Sequence, residues 1–494
     1  MAALPGSRAA ATAEPPPWLL MLPLGITLAL IPAAQTLPSV LAVAGAVVLL
    51  ARPRWALYLL AFTVPYQSLY DAKLYGAGVT ITEGVIVTLL AGWATRIVTG
   101  RSPRPRWTPV LTAVAVMTVV FSATTLVASD LTLSAKELLK WIELGAAYLA
   151  GTSLLETPLQ RRTMVWCLLG AAISEALLGL RQAALRIGPA HFMVGGVFMR
   201  SYGTFEQPNP YAGYLGLALP LAVAVWWLGL QPGRPRQILG AGVALIGLSL
   251  LLTMSRGAWV GQAIGLLLIG WTASQTARRA LVSVALFGGI LTATVWPFLP
   301  RALTERLASV VISAVDVGAL RHATITPENW SVLERLSQWF AGWEMFLANP
   351  ILGVGIGNYN AAYHTYRLEA WPVALGHAHN HYLTVAAEAG IFGLVAFILY
   401  TATVFASGAR SYRAASDRLA RAVAIGTLGS FAAFCMHNQF DVLFVHGVGV
   451  TVGLLLAVQY GAPGGMEGGS VWAEVRARPK TNTGRAAGVR SQPG

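Results

Sequence analysis

Cysteine is almost absent from this chain of 494 residues: Cys167 and Cys435 are the two it has, both in apolar stretches. That excludes a disulfide framework and every metal site built on paired cysteines. Charge is scarce as well. Asp, Glu, Lys and Arg together make 11% of the residues, where soluble domains carry about 25%, so a soluble globular fold is excluded. A nucleotide-binding loop is also missing. The run PILGVGIGNYN (350–360) has glycines for tight turns, but no lysine follows and no strand precedes it. No cleavable signal is evident, because the first apolar run leads directly into another.

What remains is 55% hydrophobic. Apolar runs of about 17–25 residues, enough to cross about 30 Å of hydrocarbon, recur from end to end. The expected fold is an all-α polytopic membrane protein with about 12–14 transmembrane helices and one long outward-facing loop. The first spans read as 18–34 and 37–51, the sixth as 134–155, the eleventh as 280–298, the twelfth as 383–406, and the last ends near Tyr460. Residues 1–17 read as a disordered cytoplasmic lead and 18–186 as N-terminal transmembrane helices. A second membrane region, 187–460, contains the long loop 299–382, and 461–494 is a disordered cytoplasmic tail.

The formal charge of +14 does not indicate a nucleic-acid partner. Arginine crowds every second loop, at Arg52, Arg96 to Arg106, Arg161, Arg234, Arg278 and Arg410 to Arg421, and in the tail. The positive-inside rule places these loops and both termini in the cytoplasm. All eight histidines then fall on or near the outer face, which is where a group suited to proton transfer near neutral pH is concentrated. In the sixth span, Lys136, Lys140, Glu137 and Glu143 are spaced for pairing at a membrane edge.

His377, His379 and His381 alternate at the lip of the twelfth span, with Asn380 among them. Polar side chains there are costly and usually mark a functional site. A metal is not expected: positions i and i+2 do not share a helix face, and no cysteine or acid nearby completes a ligand set, Glu388 being two turns into the span. One histidine acting as general base fits better. His381, inside the first turn, is rotated by about 200° from His379, so the two face different surroundings.

Three outer-face arginines could bind an anion. Arg200 precedes the turn-forming run SYGTFEQPNPY; an interfacial arginine near headgroups is the alternative there. Arg256 sits in the tight hairpin Ser255-Arg256-Gly257, against the topology bias. Arg335 lies in the amphipathic run WSVLERLSQWFAGWEMFLANP, whose Trp339, Phe340, Trp343, Met345 and Phe346 are expected at the membrane interface.

RSYGTFEQPNPYAGYL, SRGAWVG, ERLSQWFAGWEMFLANPILGVGIGNY and HAHNHYLTVAAEAGIFGL together resemble the O-antigen ligase and polymerase superfamily, bacterial inner-membrane proteins that join glycans. The ligase signature of that family is His followed by Asn, Ser or Gln, a nine-residue gap and Gly-x-x-Gly. Here it reads His379, Asn380, then Gly390-Ile391-Phe392-Gly393. The resemblance spans about 195–455 and makes 187–460 a ligase-like membrane region. It implies metal-independent, cofactor-free transfer of a glycan from undecaprenyl pyrophosphate to a glycan or lipid acceptor such as lipid A-core, at the periplasmic face of the inner membrane. It implies His379 as base and Arg200 and Arg256 as pyrophosphate clamp, with Arg335 as a further candidate and Asn380 and His377 in the substrate site. A polymerase joining lipid-linked repeat units, or a protein-glycosylating relative, shares these motifs. A transporter is disfavoured, since no inverted repeat of broken helices and no mid-span acid suited to ion coupling is seen.

Overall fold

The computed structural model describes residues 44–69, 72–74, 77–102, 105–273 and 330–460, with scattered positions between 275 and 286. The expected first span, much of the second, the eleventh, the segment 299–329 and both tails lie outside the described residues.

The chain is an all-α polytopic membrane protein. After a helical stretch at 44–51 come α1 (Pro53–Tyr66), α2 (Ile81–Val98), α3 (Pro109–Thr124), α4 (Leu131–Leu154) and α5 (Pro158–Leu185). Then follow α6 (Pro208–Ala224), α7 (Arg234–Leu252), α8 (Arg256–Ala273), α9 (Trp330–Ala348), α10 (Tyr359–Tyr366), α11 (His381–Ala414), α12 (Arg418–His437) and α13 (Val448–Gln459). Proline in the first turn of α1, α3, α5, α6 and α7 sets φ where no N–H is needed. Side-chain caps from Thr80, Thr108, Asp130, Thr157, Asn380 and Asp417 satisfy the first N–H groups of other turns.

Among the described residues, seven helices are long and apolar enough to cross a bilayer: α2, α3, α5, α6, α7, α11 and α12. Four further segments read as spans are helical but differ from that pattern. α1 has 14 residues, α4 carries Lys136, Glu137, Lys140 and Glu143, and α8 opens on Arg256. α13, expected as a full span, has 12 residues, about 18 Å of helix. It is buried along its whole length and packs against α4. The non-helical backbone at 438–447 before it is largely buried in protein. The pairing expected in α4 is present as Lys140–Glu137 at 2.5 Å. Two small antiparallel ladders, β1 (Ala72–Leu74) with β2 (Ala77–Val79) and β3 (Met193–Val194) with β4 (Phe198–Met199), shape loops that sequence periodicity does not reveal.

Three features position the end of the bundle where α8 and α11 begin. α8 and α12 touch backbone to backbone: a Cβ on Gly265 would lie 2.4 Å from the Gly429 carbonyl oxygen, and one on Gly261 2.5 Å from that of Ala433. Small residues permit this approach, and it brings the start of α8 beside the end of α12. Second, buried Asn358 joins the turn before α10 to the start of α4. Its Oδ1 accepts from Ser129 Oγ (3.0 Å) and the Asp130 N–H (2.8 Å), and its Nδ2 donates to Ser134 Oγ (2.9 Å) and the Asp130 carbonyl (3.1 Å). Third, the Glu388 carboxyl on α11 accepts the Gly357 and Tyr359 N–H groups, each at 2.9 Å, fastening the glycine turns of 350–360 to α11.

Gly390 interrupts α11 with φ 62° and ψ −163°. The turn after α9 presses on it: a Cβ there would sit 2.2 Å from the Ile351 oxygen, and the Ile391 N–H donates to the Pro350 carbonyl at 2.8 Å. Gly390→Ala should therefore cost about 2–5 kcal/mol, from left-handed strain plus overpacking. Gly376→Ala, with positive φ but nothing within 4 Å of the added Cβ, should cost only the strain. Thermal unfolding in detergent compares the two, and equal melting temperatures would show that the turn does not bear on α11.

Candidate functional site

The site is built where α11 begins. The Asn380 side chain accepts from the Leu383 N–H at 3.1 Å and caps the helix, which fixes His379 just outside it. His379 has φ 51°, a left-handed conformation costing a non-glycine residue about 1–2 kcal/mol. Contacts on both sides hold it. Its N–H donates to His377 Nδ1 at 3.1 Å, and its carbonyl accepts from the Trp339 indole at 3.4 Å. The turn aims its ring at Asp441, with Nδ1 3.1 Å from Oδ1.

Asp441 corrects the expectation that no acid completes the histidine cluster. It lies 62 residues beyond His379, in the segment between α12 and α13. Its Oδ1 also accepts from the Val442 N–H at 2.9 Å, and its Oδ2 accepts from Asn209 Nδ2 at 2.7 Å. Burial pushes this carboxyl up, but the His379 hydrogen bond and the pull of His379, His377 and Arg335 outweigh it. The net effect holds Asp441 well below the usual carboxylate range. An ionised carboxylate only accepts, so Nδ1 of His379 donates, and in the neutral ring that leaves Nε2 as the acceptor.

His377 is lowered to about 4 by burial and by repulsion from His379, against the pull of Asp441. It is neutral near pH 7. Since its Nδ1 accepts the His379 N–H, its proton is on Nε2, 4.0 Å from Asp441 Oδ1. His381 turns the other way, as helical rotation requires. It is buried with its ring centroid 4.8 Å from that of Phe444 and 4.9 Å from that of Phe397.

His379 lines a cavity with Arg256, Arg335, Trp339, Val260 and Phe440. The structure thus gathers two of the three expected arginines around His379. Arg200 is not in that lining. Its Nε donates to the Thr253 carbonyl at 2.6 Å and one terminal nitrogen donates to Asn209 Oδ1 at 3.0 Å, and Asn209 in turn reaches Asp441. The hairpin bearing Arg256 is sharpened by Met254 at φ 53° and anchored by Ser255, whose Oγ lies 3.3 Å from His437 Nε2. Trp343 is half exposed, as expected of an interfacial residue. Met345 is not; it is fully buried with Ala341, Tyr359 and Tyr363 in a small core that fastens α9 to α10.

His377, His379 and Asp441 offer ligand atoms within 4.8 Å of one another. Three such donors are the number a catalytic zinc site uses, so the cluster could hold a divalent cation with the same atoms that now hydrogen-bond. The cavity arginines stand beside it.

Residues 241–398 match the family model described as O-antigen ligase. That stretch includes Arg256, Arg335 and His379; Arg200, Asn209 and Asp441 lie outside it. No curated protein matches the chain.

Proposed function

From the premise that the chain belongs to the O-antigen ligase superfamily, we propose that it transfers a glycan from undecaprenyl pyrophosphate to an acceptor hydroxyl, with the acceptor a surface glycolipid such as lipid A-core. The arginine-rich loops then lie in the cytoplasm and the cavity opens to the periplasmic side of the bacterial inner membrane. The observation that carries this reading is a single cavity lined by Arg256, Arg335 and His379, with His379 Nδ1 committed to Asp441.

Nε2 of His379 takes the proton of the acceptor hydroxyl as its oxygen bonds to the anomeric carbon. The bond from that carbon to the pyrophosphate oxygen breaks, and undecaprenyl pyrophosphate leaves with the electron pair. Arg256 and Arg335 counter the charge that grows on it. Asp441 stabilises the imidazolium formed in between. Joining two lipid-linked repeat units would use the same bond changes. The His379-Asn380 signature favours the ligase reading.

The test is purified protein given the lipid-linked glycan extracted from cells lacking it. Release of undecaprenyl pyrophosphate that depends on an added acceptor supports the proposal, and no release from any glycan-loaded donor overturns it. Arg256→Lys should lower transfer by about tenfold or more at equal protein level, because a point charge does not replace a bidentate fork in transition-state stabilisation. Wild-type transfer by that variant would remove Arg256 from the site. Chelator should leave transfer intact, since the pyrophosphate is an activated leaving group and the arginines supply its countercharge. Loss with EDTA, restored by one added divalent metal, would replace the base by a metal centre on His377, His379 and Asp441.

A further inference from the structure

Asn209, within the run RSYGTFEQPNPYAGYL, takes no part in the proposed chemistry, yet it touches both a fixed cation and the carboxylate behind His379. It lies between Pro208 and Pro210 in the first turn of α6. Arg200 donates to its Oδ1 at 3.0 Å, and its Nδ2 donates to Asp441 Oδ2 at 2.7 Å.

The orientation of that amide follows from chemistry. Arginine has no acceptor, so the face of Asn209 toward Arg200 must be its oxygen, and the NH₂ group is then delivered to Asp441. Arg200 is itself fixed by the Thr253 carbonyl at 2.6 Å, and the neighbouring Ser201 N–H donates to the Leu252 carbonyl at 3.0 Å. The chain of donors runs in one direction: Arg200 to Asn209, and Asn209 to Asp441. With Oδ2 occupied, Asp441 presents Oδ1 to His379.

We propose that Asn209 is a positioning residue for His379: it orients the Asp441 carboxylate and thereby holds the base in the tautomer with Nε2 free, with Arg200 acting as the anchor of that amide. This deepens the transferase reading and rests on it for its catalytic consequence. It assigns Arg200 a role three hydrogen bonds removed from His379 in the substrate cavity.

Asn209→Asp is the discriminating variant. It keeps the shape and an oxygen for Arg200, and adds charge for that arginine to pair with, but it removes the donor to Asp441. It also sets a second carboxylate against Asp441, so Asn209→Ala, which removes the donor without adding charge, is read beside it: a residue needed as a donor fails in both. In the full-length protein in nanodiscs, with lipid-linked glycan extracted from cells lacking the protein, both Asn209→Asp and Asn209→Ala should lower kcat by roughly 10- to 100-fold, the range for losing an outer partner of a functional imidazole. KM for the donor should change by less than about threefold, because uniform binding is untouched. In an Asp441→Ala background, Asn209→Ala should add little, as expected for residues acting through one contact. Asn209→Asp with more than half of wild-type kcat, or an undiminished effect of Asn209→Ala in the Asp441→Ala background, overturns the proposal.

A second measurement stands apart from activity. The ¹⁵N spectrum of His379, assigned by its loss in His379→Gln, should show a protonated Nδ1 in the wild type and a mixture of tautomers in Asn209→Asp. An unchanged ring spectrum in that variant overturns the inference even where transfer is slowed. The expected spectral change in a protein that transfers no glycan would leave the positioning role standing and sink the transferase reading alone.

Discussion

His379→Ala should lower glycan transfer by about 10²- to 10⁴-fold, the usual cost of removing a general base, while the protein stays in the membrane and still binds the lipid-linked donor. The geometry supports so large an effect. His379 is the cavity histidine; His377 has its Nδ1 engaged by backbone and its Nε2 turned toward Asp441, and His381 is enclosed by Trp141, Phe397 and Phe444. His381→Ala should accordingly be milder in transfer and act mainly through lost packing. The measurement is transfer by membranes from each variant, normalised to protein level, alongside donor binding. More than about a tenth of the wild-type rate in His379→Ala would exclude it as the base.

Asp441→Asn should be nearly as severe, at about 10²- to 10⁴-fold in kcat, as when the carboxylate behind a catalytic histidine becomes an amide. Asp441 now accepts from His379, Val442 and Asn209 at once. An amide at that position has one oxygen. If it faces Asn209, its NH₂ points at His379 and forces the proton onto Nε2, where no acceptor hydroxyl can be deprotonated. If it faces His379, the NH₂ opposes that of Asn209. Transfer assayed at matched protein level, with donor KM measured in parallel, separates this from general misfolding. A loss below about tenfold with unchanged KM would reduce Asp441 to a structural role.

The membrane class and a helix starting close to 383 were legible because both depend on local signals: apolar run length, and the abrupt change from a polar loop to an apolar stretch. Arg256 stood out because an arginine in a tight hairpin read as outward defies the topology bias, whereas Arg335 entered as a further candidate through the family resemblance. Asp441 could not be read the same way. Its partner is 62 residues away, and no periodicity links a loop acid to a histidine in another loop. The available signal was weaker: an acid directly after a span on the outer face. Arg200 had two readings, clamp or interfacial residue, and its contacts with Thr253 and Asn209 add a third, the anchor proposed above. Met345 was misassigned to the interface because an amphipathic run does not show that α10 will cover its inner face.

Asn358 also sets an order of events. Its partners at Ser129 and Asp130 precede it by 229 and 228 residues. At about 5–20 residues per second, synthesis leaves roughly 10 to 45 seconds between the two. For that interval the start of α4 exists without the amide that completes it. The ligase-family segment therefore does not mature alone. The turn that bears Asn358 is fastened to residues made long before it.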